Sequence, residues 1–489
     1  MSSNFAIFIT ILVSILFACI GILYSKTKNF NIQDFLIAKG STNTFTSTTT
    51  ISASVIGAWV LFSPAEAGTW AGITSLIGYG IGQAAPLICF AILGPKLKSL
   101  MPNGHSITEY TWYRYGRLTH LICIIVTISY LFVFLTAELT AISSVLKEIS
   151  NVPLIYTAIV VGGFTAIYTA YGGLRASIAT DSIQFSLIIP LVLVIFIAIL
   201  SNAGGIVNSI NIVIDNRPEL ISFSYKPGIE FGITLILAVF GANMFHQGFW
   251  QRIYAAKNDR AIKFGFTLSA IIVIPIILIT GLVGIISSGQ NIEGNPSVAF
   301  FNISKELLPE TLLIGLLILS TALVMSSLDT LLNGITSVIT TDLSRIKPNL
   351  KPNNLLKYAR IFSIVLMLPA IGISSKGYSV LYLFLIADLI CCSAVIPVFF
   401  GLYSKKITDK HATISFITGL LIGTIFFPTA SPGYSTTWLP DSIQIPLSGK
   451  MLVSFSVALV ISGISCLILS AQNKKNQYNF SDLNKNISP

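Results

Sequence analysis

The chain carries, at residues 311–343, the stretch TLLIGLLILSTALVMSSLDTLLNGITSVITTDL, which is apolar and long enough to cross a bilayer yet polar at its centre. In a helix, Ser326, Asp329 and Thr330 share one face, and Ser327 lies beside them. A carboxylate at that depth costs roughly 2.5–3.5 kcal/mol on insertion scales. Serine and threonine alone commonly join membrane helices. Because an aspartate accompanies them here, the stretch favours an oxygen-lined site for a hard cation such as sodium.

The composition predicts an all-α polytopic membrane protein. Of the 489 residues, 53% are hydrophobic and 10% are charged, and the mean hydropathy of +0.81 excludes an ordinary soluble protein. Thirteen apolar runs are long enough to span the roughly 30 Å hydrocarbon core, so we expect 13 transmembrane helices. The runs lie near 5–24, 45–69, 74–94, 118–146, 154–171, 180–200, 229–247, 264–287, 311–336, 356–374, 378–402, 411–428 and 451–471.

The charges predict how these spans are oriented. The first run is too long for the apolar core of a secretory signal and has no basic residue before it, so we expect a retained span with its N-terminus outside. All but six of the 29 Lys and Arg then fall on the cytoplasmic side, as the positive-inside rule requires. The six are Lys147, Arg217, Lys226, Lys305, Lys376 and Lys450. The prediction is a multi-pass protein of the plasma (inner) membrane with a cytoplasmic C-terminus and no nucleic-acid partner.

The second span is predicted to be broken. Its sequence TISASVIGAWVLFSPAEAGTWAG, residues 50–72, is interrupted at Gly57, at Ser63-Pro64 and at Gly68. Proline removes a backbone donor, and carbonyls freed inside a membrane are tolerated only where they face protein, water or an ion. An ordinary proline kink is the alternative. The acid Glu66 beside the interruption favours a functional break instead.

Acidic residues recur at membrane depth. Besides Asp329 there are Glu66, Glu138, Asp181 and Asp388, and we expect no Lys or Arg among them. Intramembrane ionisable groups are functional candidates, although each could be a protonated structural acid, and Asp181 could equally cap its helix. An interior with acids and no bases suits a neutral amide, an amine or a zwitterion better than a dianion.

Four segments in order carry a resemblance to a known family. They are HSITEYTWYRYG (105–116), YTAYGGLRASIATDSIQ (168–184), WQRIYAAK (250–257) and ALVMSSLDTLLNGITSVITTDL (322–343). Over nearly its whole length the chain resembles the sodium/solute symporter family, whose members carry proline, sugars, sialic acid, urea, vitamins or anions. The first and third segments match cytoplasmic loops of that family.

The resemblance implies a leucine-transporter-type fold, built from two inverted five-helix repeats with peripheral helices. It divides the chain into a lone N-terminal helix with its cytoplasmic loop, the first repeat with the start of the second, the remainder of the second repeat, peripheral helices and a cytoplasmic tail. These parts correspond to residues 1–44, 45–247, 248–402, 403–471 and 472–489.

The resemblance also implies where sodium binds, between the second and ninth spans. The matching groups are the carbonyls of Ala53, Ile56 and Leu323 with the hydroxyls of Ser326 and Ser327. Some members bind another sodium nearby, and the matching positions are Asp181, Ser326, Asp329 and Thr330. Asp329 stands where some relatives have a hydroxyl, so it would strengthen a second cation site or admit a proton.

The family's substrate pocket lies between the second, third, fourth, seventh and eleventh spans. The matching candidates are Phe62, Ser63, Glu66, Gln83, Glu138, Phe240, Asn243 and Asp388. Pro64-Ala65-Glu66 resembles the Pro-x-Glu of members that carry anions and vitamins, which argues for a structural Glu66. The aromatic residues Phe240, Phe245 and Trp250 could gate the pocket or simply pack.

We therefore expect a sodium-coupled symporter that imports a small polar organic solute: a neutral amide, an amino acid or an amine, with urea-like and proline-like compounds as candidates. Its partners would be sodium, the solute and the lipid bilayer, with no obligatory protein partner. A proton-coupled symporter of the same fold is one alternative, and a membrane-embedded solute sensor is another. An enzyme is not expected, because no metalloprotease, nucleophile-elbow or phosphate-loop motif occurs in a suitable context.

Overall fold

The computed structural model describes residues 1–25, 32–346, 351–430, 436–440, 445–473, 478–480 and 482–483, and this part of the chain is nearly all helical, with no strand. The helices are α1 Ser3–Ser25, α2 Ile32–Leu36, α3 Thr44–Val55, α4 Trp59–Leu100, α5 Ile107–Arg114, α6 Arg117–Ser150, α7 Leu154–Asn202, α8 Gly205–Asn216, α9 Lys226–Met244, α10 Gln247–Ala255, α11 Asp259–Gly289, α12 Ala299–Leu307, α13 Glu310–Ile346, α14 Pro352–Ser374, α15 Val380–Phe399, α16 Asp409–Phe426 and α17 Met451–Gln472.

Ten of the described helices are long and apolar enough to cross a membrane: α1, α4, α6, α7, α9, α11, α13, α14, α15 and α17. Two of them bend sharply, at Gly72 in α4 (φ 69°) and at Gly173 in α7 (φ 55°). Both conformations favour glycine, and a Cβ there would overlap the backbone of Leu220 or of Phe35. Each bent helix holds parts of two predicted runs, and the number of 13 spans stays a prediction.

The predicted break in the second span is present, but only its first interruption ends a helix. Helix α3 ends at Val55 and α4 begins at Trp59, so Ile56, Gly57 and Ala58 separate them. Pro64 lies inside α4, contrary to the expectation that it interrupts the span. It stands close to the start of that helix, where its missing N–H removes one backbone hydrogen bond without ending the helix.

A second break lies between α9 and α10, where Phe245 and His246 separate the two helices. The sequence predicts one continuous apolar run there, followed by a cytoplasmic loop. Helix α10 is instead buried, with Trp250 and Arg252 almost fully enclosed. The signal available in the sequence was a cluster of polar residues at the end of the apolar run, including His246 and Gln247.

Glycines bring α4 and α9 into close backbone contact. Gly78 and Gly82 on α4 and Gly228 and Gly232 on α9 each form a pair spaced by four residues, the small-xxx-small arrangement of membrane helix interfaces. A Cβ on Gly78 would overlap the backbone of Gly232, and a Cβ on Gly82 would overlap that of Leu235. This contact sets the separation of the two helices that line the cavity described below.

We expect Gly78→Ala to lower the thermal unfolding midpoint of the purified protein by several degrees, because backbone atoms must move to admit the methyl group. Gly80→Ala is the matched control. A Cβ there would lie 3.5 Å from the Ile274 side chain, an ordinary contact, and alanine is the better helix former by about 1 kcal/mol. Equal midpoints for the two variants, measured by fluorescence-detected unfolding, would show that the close contact is unimportant.

Candidate ion and substrate sites

The two adjacent serines of α13 face the break between α3 and α4. Ser326 Oγ lies 3.2 Å from the carbonyl oxygen of Ala53, and Ser327 Oγ lies 3.2 Å from that of Leu323. Ile56 occupies the first position after α3. All five residues predicted to hold sodium are buried, and the structure places them at the break or on the helix beside it.

Each of these serines has a carboxylate as its closest acceptor. Ser326 Oγ donates to Asp181 Oδ1 at 2.7 Å, and Ser327 Oγ donates to Glu138 Oε2 at 2.6 Å. A hydroxyl has one proton and two lone pairs, so a proton committed to a carboxylate leaves the lone pairs for another partner. The two carboxylates therefore orient the serine oxygens as acceptors, which is what a cation requires.

Glu138 holds the start of α4 in place. Its carboxylate accepts hydrogen bonds from the backbone N–H of Ala58 (2.8 Å) and of Trp59 (3.1 Å), at a helix end that has no side-chain cap of its own. A negative group is favourable there because the first N–H groups of a helix lack backbone partners and carry positive partial charge. Glu138, predicted to contact substrate, thus connects the break to Ser327 instead.

A basic residue, Arg252, does lie among the buried acids, contrary to the expectation that no Lys or Arg would. The guanidinium of Arg252 on α10 donates to Asp181 Oδ2 at 2.9 Å, and the side chains of both residues are 0% exposed. The same Nη2 donates to Thr330 Oγ1 at 2.9 Å, while Nη1 donates to the Gly248 carbonyl at 3.0 Å. The error came from assigning WQRIYAAK to a cytoplasmic loop, on the basis of its charge and of its resemblance to the family's cytoplasmic loops.

The positions predicted for a second cation form one hydrogen-bonded cluster that includes an arginine. Arg252 links two of them, Asp181 and Thr330, so a permanently charged guanidinium lies among the predicted ligands. Asp329 accepts hydrogen bonds from the hydroxyls of Tyr168 and Ser177 on α7, each at 2.7 Å, and from Thr330 Oγ1 at 3.3 Å. Ser326 joins this cluster through its bond to Asp181.

A narrow cavity lies between α4, α6, α9 and α15, and it encloses about 310 Å³ including its open mouth. These helices correspond to the five spans expected to form the pocket. The lining residues are Trp59, Tyr79, Gln83, Tyr130, Phe134, Val239, Ala242, Asn243, Phe384 and Asp388. Three of them, Gln83, Asn243 and Asp388, belong to the predicted substrate set. The five aromatic rings were missed because nothing in an apolar run distinguishes a ring that lines a cavity from one that packs.

The other substrate candidates lie elsewhere. Phe62 lines a second cavity together with Lys147 and Ser379, and Glu66 Oε2 lies 3.3 Å from the Ser379 hydroxyl. Ser63 is buried within α4, and Phe240 lines an apolar cavity beside α17. Two of the three gating candidates pack against one ring of α15: the centroids of Phe245 and Trp250 lie 5.8 and 6.1 Å from that of Phe399.

The fold and this arrangement of two broken helices define a leucine-transporter-type membrane transporter. The structure superposes with a TM-score of 0.75 on a Na+-coupled sialic acid symporter, at 17% identity and over 98% of this chain and 99% of that one. A nucleobase-cation-symport-1 family transporter gives a TM-score of 0.61, at 12% identity and over 93% and 99% of the chains. The predicted fold class is confirmed.

The sequence model of the sodium:solute symporter family matches residues 35–419, and the chain belongs to that family. It is 27% identical over 492 residues to a spermidine transporter of Candida albicans, covering 95% of this chain and 91% of the relative. It is 24% identical to the urea active transporter of Saccharomyces cerevisiae (84% and 61%) and 23% identical to the human sodium/myo-inositol cotransporter 2 (82% and 66%). The protein is a membrane transporter for a small molecule and not an enzyme.

Proposed function

We propose that this protein is a sodium-coupled symporter that imports a small polar organic solute across the plasma (inner) membrane, with its N-terminus outside and its C-terminus in the cytoplasm. The observation that carries the proposal is the pair of α13 hydroxyls at the α3–α4 break, whose protons point to Asp181 and Glu138. The fungal relatives, a spermidine and a urea transporter, support a nitrogen-containing solute.

Sodium would couple to solute through the broken helix. An ion held by the carbonyls of Ala53 and Ile56 and by the hydroxyl of Ser326 would join α13 to the break. Trp59, the first residue of α4, lines the cavity. Ordering the break therefore orders one wall of the cavity, and by linkage solute must then raise sodium affinity by the same factor. Dissociation of sodium on the cytoplasmic side would lower the affinity for solute, so that the solute is released there too.

We expect Ser326→Ala to raise the sodium concentration needed for half-maximal binding by at least about tenfold, because it removes one ligand and a hydrogen bond to Asp181. Radiolabelled sodium binding to purified protein measures this directly, without knowledge of the solute. Ser320→Ala is the control, since Ser320 Oγ donates only to the Leu316 carbonyl of its own helix, at 2.8 Å. Unchanged sodium affinity in correctly inserted Ser326→Ala protein would refute the assignment.

Uptake assays in proteoliposomes distinguish sodium coupling from its alternative, which is proton coupling through Asp329, Asp181 or Glu138. Uptake that requires an inward sodium gradient and persists without a pH gradient supports sodium. Uptake that follows the pH gradient and ignores sodium contradicts it. Solute binding with no uptake under either gradient would favour a sensor.

A further inference from the structure

Asp388 is a buried acid that has no polar partner among the described residues. Its exposed fraction is 5%, and what remains accessible faces the cavity between α4, α6, α9 and α15. No residue in the described part of the chain donates a hydrogen bond to it or forms an ion pair with it, whereas Asp181, Glu138 and Asp329 each accept several hydrogen bonds. A buried carboxylate that stays ionised is costly unless a partner compensates it, and the accessible part of Asp388 faces only the cavity, so a compensating cation would have to enter there.

The walls around this acid consist mainly of aromatic rings. Trp59 stacks on Tyr79 with ring centroids 5.4 Å apart, and Phe134 meets Phe384 edge to face at 4.7 Å. No lining residue is basic. Ring faces attract cations, and quaternary and substituted ammonium groups are commonly bound in such surroundings.

Three of the other polar side chains of the cavity contact each other, since the Tyr130 hydroxyl lies 3.4 Å from Asn243 Oδ1. The amide of Asn243 donates to Gln83 Oε1 at 3.1 Å. A bare sodium ion would find few oxygen ligands here besides Asp388, and an inorganic cation gains little from carbon-rich walls. A neutral amide would leave the carboxylate uncompensated, and an anion would be repelled by it.

We infer that this cavity binds the ammonium group of a small organic amine, with Asp388 as its counter-ion and the rings of Trp59, Tyr79 and Phe384 around its alkyl carbons. The inference rests on the proposed function, because it takes this cavity to be the one from which solute is transported. It narrows the chemical class of the solute from any small polar organic compound to organic cations.

The test compares n-butylammonium with the neutral 1-butanol, and 1,4-diaminobutane with urea, by calorimetric binding to the full-length protein in nanodiscs. Both amines are expected to bind at least about 30-fold more tightly than the neutral compounds. Asp388→Asn should weaken amine binding by a similar factor and leave 1-butanol binding unchanged. Phe384→Leu should weaken it about fivefold.

Glu230→Gln serves as the control, since Glu230 is an exposed acid that pairs with Lys226 at 3.8 Å, and the charge change is the same. Equal binding of butylammonium and 1-butanol by the unmodified protein would overturn the inference, and this comparison decides even where Asp388→Asn does not fold. Repeating the titrations in sodium and in potassium separates the two proposals. Amine binding that ignores sodium contradicts the coupling alone, whereas sodium-dependent binding of urea but not of amines contradicts the amine alone.

Discussion

Arg252→Ala is expected to lower the free energy of unfolding by about 3–5 kcal/mol, because it leaves Asp181 as an uncompensated charge in the interior. The substitution also removes the donors to Thr330, to the Gly248 carbonyl and to Thr50, so polar atoms on four helices lose partners. Arg252→Lys should recover only part of the loss, since one ammonium cannot reach all these acceptors in the geometry of the guanidinium. Thermal unfolding of the purified protein measures the effect.

The control is Arg175→Ala. Arg175 pairs with Asp34 at 3.3 Å, but the two side chains are 38% and 26% exposed, and such pairs contribute about 1 kcal/mol or less. Similar unfolding midpoints for the two alanine variants would show that the buried pair stabilises the fold no more than the exposed pair does. The double variant Arg252→Ala with Asp181→Asn should be more stable than Arg252→Ala alone, since it removes the orphaned charge as well.

The same arginine bears on the second cation site. If the guanidinium takes the place of a second sodium, its removal should create a sodium-dependent rise in the unfolding midpoint beyond that of the unmodified protein. If the sodium dependence of the midpoint is unchanged, the guanidinium does not occupy the place of a sodium ion.

Glu138→Gln is expected to weaken sodium binding by at least about tenfold, although Glu138 is not itself a predicted sodium ligand. The amide keeps the shape of the side chain but offers one acceptor oxygen where the carboxylate offers two. Ala58, Trp59 and Ser327 now share those two oxygens. The loss of charge-assisted bonds leaves the break and the serine hydroxyl less well oriented, at a cost of roughly 1.5–3 kcal/mol.

Two readouts distinguish this positioning role from a general loss of stability. The sodium concentration for half-maximal stabilisation should rise, while the unfolding midpoint at saturating sodium returns close to that of the unmodified protein. Glu306→Gln, the same substitution at an exposed residue of α12, should change neither value. A lower midpoint that no sodium concentration restores would mean that Glu138 supports the fold alone.

The meeting of the broken span with the serines of α13 could be predicted from the sequence partly because its signals are local. Hydroxyls next to an aspartate inside an apolar span, and a glycine at residue 57 within a predicted span, are visible without tertiary structure. Arg252 could not be placed in this way. A charged residue just after an apolar run satisfies the positive-inside rule equally well in an exposed loop or in a buried half-helix, and only the pairing with Asp181, 71 residues away, decides between them.

The residues that line the candidate substrate cavity were predicted less completely, for a related reason. Gln83, Asn243 and Asp388 are exceptions within apolar runs and therefore attract notice, but the five rings that surround them are ordinary members of such runs. Glu138 shows the converse. An acid at membrane depth indicates function, yet whether it meets a solute or the N-terminus of a neighbouring helix depends on packing that the sequence does not display.

The proposed binding of an ammonium group beside Asp388 has a consequence for the charge that each transport cycle moves. If one sodium ion and one ammonium group cross together, each cycle carries two elementary charges inward, and transport is electrogenic. A membrane potential of 100 mV, negative inside, then contributes about 4.6 kcal/mol per cycle. That energy alone could sustain a solute gradient of roughly three orders of magnitude. For such a carrier, voltage would matter as much as the sodium concentration in deciding how far the solute accumulates.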